Sequence, residues 1–264
     1  MGTLELVGTT WAAAIAFMTV IWIVSLLLKN AGIVDIFWGL GFIIVSCMAF
    51  VIGRADTARS VILLGAVSLW GLRLATHIGV RNWGKEEDWR YGKWREEARG
   101  QFWWRSYFKV FLLQGATMAI VALPPVLGIT GELPGKLVAL DVAGLCVWLF
   151  GFGFEAIGDE QLRRFRKDSS NVGKVMDSGL WRYTRHPNYF GESLIWWGFF
   201  LTAVSTPNGV WSVASPVLMT FLLVRVSGVR MLESGMKKRK PEYDEYVRRT
   251  SGFIPWPPRA RRAN

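Results

Sequence analysis

The feature that most constrains this chain is a series of long apolar runs, each about as long as the path across a lipid bilayer. A helix rises about 1.5 Å per residue, so about 20 apolar residues cross a hydrocarbon layer of roughly 30 Å. Seven such runs occur at about 10–28, 32–53, 60–80, 106–129, 137–157, 191–205 and 209–227. The sequence therefore predicts an all-α, polytopic membrane protein with seven transmembrane helices. We expect one membrane domain over residues 1–264.

The basic residues alternate between the connections that join these runs. Seven Lys or Arg residues lie between the third and fourth runs, seven between the fifth and sixth, and ten after the seventh, whereas the alternate connections hold only Arg54, Arg59 and Lys136. Lys- and Arg-rich connections stay in the cytoplasm. This predicts the N-terminus outside and the C-terminus in the cytoplasm. The net charge of +11 thus reflects topology and contact with membrane lipid, and no nucleic-acid partner is expected.

Seven ionisable residues lie inside the apolar runs, where charge is expensive and usually faces a cavity or a partner. They are Asp35, Arg73, His77, Asp141, Glu155, Glu192 and Arg225. All except Asp141 fall in the predicted cytoplasmic half, which favours a polar cavity open to the cytoplasm. The residues alone leave two alternatives open. Arg225 and Glu155 can extend from helix ends toward water, and Asp35 with Arg73 can form a purely structural ion pair.

The connection at 158–190 carries the second polar group. Asp159, Arg163 and Arg166 are spaced to share one face of a continuing helix, and Lys174 follows in a glycine-flanked turn. Pro187 ends the local structure, and Asn188 can cap the next helix. A helix N-terminus beside convergent cations predicts an anion site. The alternative is a basic helix on the membrane surface that is attracted to anionic lipid.

The stretch GLWRYTRHPNYFGE at 179–192, with DEQLRRFRK before it and EYDEYVRRTSGFIPW after it, resembles the steroid 5-alpha-reductase family, specifically its bacterial branch. GIVDIFWGLGF and DWRYGKWRE extend the resemblance. It implies a seven-helix membrane reductase that uses NADPH to saturate a carbon–carbon double bond conjugated to a carbonyl, in a steroid-like or other lipid. It also implies a bacterial inner-membrane protein whose active site faces the cytoplasm. We expect a monomer.

The core RHPNYFG also resembles isoprenylcysteine carboxyl methyltransferases, which bind S-adenosylmethionine. The basic surroundings favour NADPH, because its pyrophosphate and 2′-phosphate need cations and S-adenosylmethionine has no phosphate. A membrane methyltransferase is the alternative function. A non-enzymatic lipid-binding membrane protein is the second alternative.

The resemblance and the basic surroundings together assign the cofactor to residues 155–256. The cofactor-binding candidates are Asp159, Arg163, Arg166, Lys174, Arg185, His186, Asn188, Tyr189, Glu192, Glu233 and Tyr246. The catalytic candidates are Asp35, Arg73 and Tyr91: Asp35 as the acid, Arg73 as the group that stabilises charge or holds Asp35, and Tyr91 as a second proton donor. No metal site is expected. Steroid-reducing members carry a Gln-Glu pair on the second span, where this chain has Asp35 and Trp38.

Overall fold

The computed structural model describes residues 2–131, 137–226, 229, 233, 235, 236 and 242–259. Helices dominate the described residues, which contain no β-strand and one isolated β-bridge, between Thr184 and Ser251. The prediction of an all-α fold is therefore confirmed. Lys136, one of the three basic residues of the alternate connections, lies outside the described residues.

Three long helices come first: α1 (Thr3–Leu27), α2 (Ile33–Ile52) and α3 (Ala58–Asn82). A short helix, α4 (Trp89–Glu97), follows in the basic connection. The lengths of α1, α2 and α3 follow from long, predominantly apolar sequence, and the breaks between them are turns. At Lys29 and Arg54 these turns use positive φ values of 51° and 48°.

The fourth apolar run is not one straight helix. It consists of α5 (Phe102–Ser106), a π-helical segment (Tyr107–Leu112), α6 (Leu113–Val121) and α7 (Leu123–Thr130). The axis bends by 43° between α6 and α7. Pro124 and Pro125 lie in the first turn of α7. Proline cannot continue the hydrogen bonding of a preceding helix, so the bend follows from the sequence.

The remaining helices are α8 (Ala139–Lys167), α9 (Pro187–Val204), α10 (Ala214–Phe221) and α11 (Tyr243–Arg249). Short 3₁₀ turns occur at Ser169–Asn171, Gly179–Arg182 and Gly209–Val213, and a second π-helical segment occurs at Leu222–Val226.

Five helical segments of the described chain are long and apolar enough to cross a membrane, and a sixth is added if the bent pair counts as one span. They define a multi-pass membrane protein. The sixth predicted run, α9, does not qualify, since polar Asn188, Glu192 and Ser193 dilute its apolar sequence. The count of seven spans and the orientation of the termini stay predictions.

The chain divides into two compact units. The first comprises residues 1–141 and 202–215, and the second comprises 142–201 and 216–264. Within the first unit, α2 and α3 cross where Gly39 meets Gly71. A Cβ added to either glycine would lie 2.5 Å from the carbonyl oxygen of the other. Only glycine permits so close a crossing.

A buried ion pair also holds the first unit. Arg59 donates from Nε and Nη2 to the two carboxylate oxygens of Asp141, at 2.8 and 2.5 Å. Ser205 and the backbone N–H of Val138 donate to the same carboxylate. Asp141 is 1% exposed, and these partners satisfy it. The carboxylate of Asp141 thus links Arg59 of α3 to Ser205, two residues that are far apart in sequence.

A glycine seam joins α8 to α9 within the second unit. A Cβ on Gly191 would lie 2.5 Å from the carbonyl oxygen of Gly151, and a Cβ on Gly198 would lie 2.7 Å from that of Gly144. The two helices therefore pack with their backbones almost in contact. This packing holds the start of α9 beside the second half of α8.

Candidate active site

The predicted site residues fall in both units. Asp35, Arg73 and Tyr91 belong to the first unit, and all the cofactor-binding candidates belong to the second.

In the first unit, the carboxylate of Asp35 accepts two hydrogen bonds from α4. The hydroxyl of Tyr91 donates to Oδ1 at 2.9 Å, and Nη2 of Arg90 donates to Oδ2 at 2.8 Å. The local sequence explains the arrangement. Asp88 caps α4 by accepting from the backbone N–H of Arg90 at 3.0 Å, and it also accepts from Nε of Arg90 at 2.8 Å. The capped first turn therefore carries both Arg90 and Tyr91 to Asp35.

Burial and charge set the protonation of this cluster. Tyr91 is 3% exposed; burial raises its pKa, and the charge of Asp35 raises it further. Burial alone would lower the pKa of Arg90, but its hydrogen bond to Asp88 and the charge of Asp35 outweigh that effect and raise it. The cluster therefore presents a neutral phenol beside a permanent cation.

The structure brings together two of the three predicted catalytic residues, Asp35 and Tyr91. Arg73 lies in α3 at a half-buried position. Arg90, which contacts Asp35 directly, was missed in the sequence analysis. A signal for it was available, because Arg90 stands between Asp88 and Tyr91 in the motif DWRY.

In the second unit, α9 begins at Pro187, so Asn188 lies inside the helix and the prediction that it caps the helix is wrong. Proline suits the first helical position, where its missing N–H leaves no hydrogen bond unmade. Oδ1 of Asn188 is buried and accepts no hydrogen bond within the described residues. Buried amide oxygens nearly always have a donor, so this atom marks a place where a ligand can supply one.

Arg185 and His186 both contact Glu233. Nε of Arg185 lies 2.7 Å, and Nε2 of His186 3.3 Å, from Oε1 of Glu233. Arg185 also donates to the carbonyl oxygens of Val247 and Thr250, at the end of α11. Burial alone would raise the pKa of Glu233, but the hydrogen bonds from His186 and Arg185 lower it to about 2. These three predicted cofactor residues thus form one connected cluster.

Two predicted tyrosines have defined partners as well. The ring of Tyr189 stacks on His186 with centroids 5.5 Å apart and planes 1° apart. Tyr246 is buried, and its hydroxyl donates to the carbonyl oxygen of Trp181 at 2.5 Å. The indole of Trp181 in turn donates to the carbonyl oxygen of Gly158 at 3.0 Å. Trp181 was missed as an anchor, although it stands within the quoted motif.

The C-terminal segment runs along the motif. The backbone N–H of Arg185 donates to the carbonyl oxygen of Ser251, the hydroxyl of Thr184 to that of Phe253, and the N–H of Trp256 to that of Tyr183. The tail motif that accompanies the central one in the sequence is thus its hydrogen-bonding partner in the fold.

The remaining cofactor-binding candidates divide by exposure. Arg163, Arg166 and Lys174 are exposed, Asp159 is buried, and Glu192 is half-buried. As predicted, α8 continues through the basic stretch to Lys167. Arg163 is already engaged, since its Nε and Nη2 donate to Glu160 at 2.6 and 2.8 Å. The second unit therefore combines exposed cations, which can bind phosphate, with buried polar atoms, which can accept from a sugar or an amide.

These features define a multi-pass helical membrane protein with two polar clusters. The chain belongs to the family described as "Protein of unknown function (DUF1295)", which is steroid 5-alpha-reductase-like and which it matches over residues 21–250.

The chain is similar to several curated proteins. It is 24% identical to an uncharacterised protein of Schizosaccharomyces pombe, C594.04c, over 89% of this chain and 76% of that protein. It is 33% identical to mouse 3-oxo-5-alpha-steroid 4-dehydrogenase 1 over 31% of this chain and 29% of that enzyme. The human enzyme of the same name is 29% identical over 43% of this chain and 40% of that enzyme. These two matches thus span less than half of each dehydrogenase. No solved structure matches the chain.

Proposed function

We propose that this protein is an integral membrane, NADPH-dependent reductase of a carbon–carbon double bond conjugated to a carbonyl, acting on a steroid-like or other lipid. The observation that carries the proposal is the hydrogen bond that buried Tyr91 donates to half-buried Asp35, beside the guanidinium of Arg90. The family and its partial likeness to 3-oxo-5-alpha-steroid 4-dehydrogenases support the reaction type. We place the protein in a bacterial inner membrane with its site facing the cytoplasm, as a monomer.

The reaction needs a donor at the carbonyl oxygen. Reduction adds a hydride equivalent to the carbon β to the carbonyl and a proton to the α carbon, and negative charge develops on the oxygen in between. A positioned donor and a nearby cation stabilise such charge in a site with little water. The hydroxyl of Tyr91 is the donor in this proposal, and Arg90 is the cation.

Asp35 has a different role here from the acid expected at first. Both of its oxygens accept hydrogen bonds, from Tyr91 and from Arg90. We therefore assign Asp35 to positioning these two groups. Because the pKa of Tyr91 is raised, its hydroxyl stays protonated and donates a hydrogen bond. The carbonyl of a bound substrate would compete with Asp35 for that proton.

The second unit fits a phosphorylated dinucleotide. Arg166 and Lys174 are exposed cations suited to phosphate, and Arg163 adds a third beside Glu160. The unpartnered Oδ1 of Asn188 is suited to accept from a ribose hydroxyl or the carboxamide. When bound, NADPH would supply the hydride equivalent. Asp159 and Glu192 are further polar contacts in this proposal.

The other cofactor-binding candidates stabilise the second unit around the proposed cofactor site. Arg185, His186 and Glu233 form one cluster, Tyr189 stacks on His186, and Tyr246 donates to the carbonyl oxygen of Trp181. We propose that they shape the cofactor site, in which each can also contact the cofactor.

The test uses purified full-length protein in uncharged detergent. NADPH, NADH and S-adenosylmethionine are titrated separately, and NADPH oxidation is then followed with a panel of enone lipids that includes a 3-oxo-4-ene steroid. The proposal expects NADPH to bind most tightly and at least one enone to be reduced, with the saturated product identified by mass spectrometry. Binding of S-adenosylmethionine without NADPH would contradict it.

A further inference from the structure

The first unit contains a cavity of about 420 Å³ that belongs to neither polar cluster described above. It lies between α4 and the start of the fourth apolar run, at α5 and the π-helical segment Tyr107–Leu112. Its wall includes Trp94, Phe102, Trp104 and Phe108, and two cations, Arg105 and Lys109, line it as well. The volume is within the usual range for a site that takes a small molecule or a lipid headgroup.

The two cations lie about one helical turn apart, and both contact aromatic rings. Nζ of Lys109 lies 4.2 Å from the ring centroid of Trp94, and the guanidinium of Arg105 lies 5.5 Å from that of Trp104. Neither cation has an acidic partner within the described residues. Both are exposed. They therefore keep their hydrogen-bonding capacity for an external anion.

One acid, Glu97, also lines the cavity, and it is already paired with Lys93, whose Nζ lies 3.9 Å away. That pair is neutral as a whole, so Arg105 and Lys109 leave the cavity with a net positive charge. This charge excludes a cationic ligand and favours a phosphate.

The position of the cavity decides the source of the phosphate. Lys109 and Phe108 belong to the π-helical segment near the start of a membrane-spanning stretch. Three large aromatic side chains at this end are strongly exposed: Trp103 by 58%, Trp104 by 40% and Phe108 by 57%. Exposed tryptophans at the end of a span are typical of the layer where lipid headgroups lie. A phosphate at this depth belongs to a lipid whose chains continue along the aromatic wall.

From this geometry we propose that the cavity is a binding site for an anionic phospholipid, in which Arg105 and Lys109 hold the phosphate and Trp104 and Phe108 contact the upper acyl chain. Trp94 forms part of the same wall, and its ring packs edge-on against Tyr91, with centroids 5.7 Å apart. A bound lipid would therefore contact the ring that packs against Tyr91. The binding claim does not depend on the proposed reductase activity.

The test measures lipid binding to the purified full-length protein in uncharged detergent. Short-chain phosphatidylglycerol, short-chain phosphatidylcholine and inorganic phosphate are each titrated, with bound lipid counted by native mass spectrometry and the melting temperature recorded. The wild type is compared with the double variant Arg105→Gln, Lys109→Gln. The matched control is Arg81→Gln, Lys85→Gln, which removes the same charge from exposed residues of the same connection that do not line the cavity.

A basic residue near anionic lipid contributes about a fivefold change in binding, so losing both should weaken phosphatidylglycerol binding about 25-fold. The control variant should bind like the wild type, and all proteins should melt alike without lipid. Equal binding of phosphatidylcholine and phosphatidylglycerol would overturn the proposal, as would unchanged binding by the double variant. Binding of inorganic phosphate as tight as that of the lipid would overturn the assignment to a lipid.

Discussion

The hydroxyl of Tyr91 donates to Oδ1 of Asp35 at 2.9 Å, across 56 positions of sequence. The geometry makes Asp35 the acceptor, and the hydroxyl of Tyr91 the group with a proton to give. Asp88 caps the start of α4, and Arg90 donates to the carboxylates of both Asp35 and Asp88. These contacts hold Tyr91 beside Asp35. In the proposed mechanism, the short helix α4 in a basic connection supplies the donor and the cation, a role that the sequence had placed mainly on Asp35.

The first prediction concerns Tyr91→Phe. It removes only the hydroxyl, so the rate of enone reduction should fall by roughly 10²- to 10³-fold, the usual effect of losing a donor to a developing oxyanion. NADPH affinity should hardly change, because the residues assigned to the cofactor are others. Single-turnover reduction and NADPH titration measure the two effects. Tyr107→Phe is the control, since it also removes a hydroxyl with one hydrogen bond, to Thr19 at 3.2 Å. Normal reduction by a stable Tyr91→Phe protein would remove Tyr91 from the mechanism.

The second prediction concerns cofactor affinity. Arg166→Gln and Lys174→Gln should each weaken NADPH binding by about 10- to 150-fold, the equivalent of about 1.5–3 kcal/mol for a charge-assisted contact. Arg163→Gln tests the third predicted phosphate contact, whose guanidinium also donates to Glu160. Arg164→Gln is the control on the same helix: Arg164 is 76% exposed, bound to Glu160, and not assigned to the cofactor. Isothermal titration of each variant provides the comparison. Equal losses for Arg164→Gln and Arg166→Gln would mean that only overall charge matters.

Much of the fold could be predicted from the sequence, because hydropathy and helix length are local properties. The apolar runs gave the long helices, and the i, i+4, i+7 spacing from Asp159 to Arg166 predicted that the fifth run continues as a helix, which ends at Lys167. What could not be predicted are pairs that meet only after folding. Arg185 and Glu233 are 48 positions apart, and Asp35 and Arg90 are 55 apart. No periodicity in the sequence joins such residues.

Sequence hydropathy also failed where the backbone departs from a regular helix. The fourth run looked continuous, but it contains a π-helical segment and a 43° bend. The prolines that produce the bend were present in the sequence, although a hydropathy count does not register their missing N–H groups. Hydropathy was also a poor guide to the sixth run. That run does form a helix, α9, but the polar residues at the start of α9 make it less apolar than a typical span.

The third prediction concerns the pH dependence of stability through Glu233. Its pKa falls from an ordinary 4.5 to about 2 in the folded protein, so folding favours the ionised form. This stabilisation is fully present above about pH 5 and is lost as the pH falls through the range from 4.5 toward 2. It amounts to about 2 kcal/mol after solvent screening of a partly exposed group.

Glu233→Gln should therefore lower the melting temperature at pH 7, and its deficit relative to the wild type should shrink between pH 5 and pH 3. Thermal unfolding in detergent at several pH values measures this. Glu96→Gln, on the exposed part of α4, removes an equal charge and should show no such convergence. A deficit for Glu233→Gln that stays constant down to pH 3 would contradict the stabilisation by an ion pair.

The fourth prediction concerns the glycine seam. In Gly191→Ala the added methyl group would lie 2.5 Å from backbone atoms of α8, so the helices must separate, and the variant should lose about 1–3 kcal/mol of stability. Gly153→Ala is the matched control on α8, since nothing lies within 4 Å of its added Cβ. It should be neutral or stabilising by up to about 1 kcal/mol. Unfolding curves in detergent compare them, and equal behaviour of the two variants would rule out the close crossing.

The fifth prediction decides whether α9 crosses the membrane. The alternation of Lys and Arg counts predicts an external N-terminus and a cytoplasmic C-terminus with seven spans, whereas five or six helical segments meet the apolar criterion. Reporter fusions placed after Arg54, Arg99, Gly131, Lys174, Asn208 and Asn264 should read out, in, out, in, out and in.

The fusion after Asn208 is the decisive one, because it follows α9 and precedes the last apolar stretch. An internal reading at Asn208 would mean that α9 does not cross, and the last stretch would then carry Asn264 to the outside. That outcome would place the ten basic residues of the tail on the wrong side for the positive-inside rule. It would also separate the tail from the compartment that holds NADPH, and would therefore exclude Tyr246 from the cofactor site.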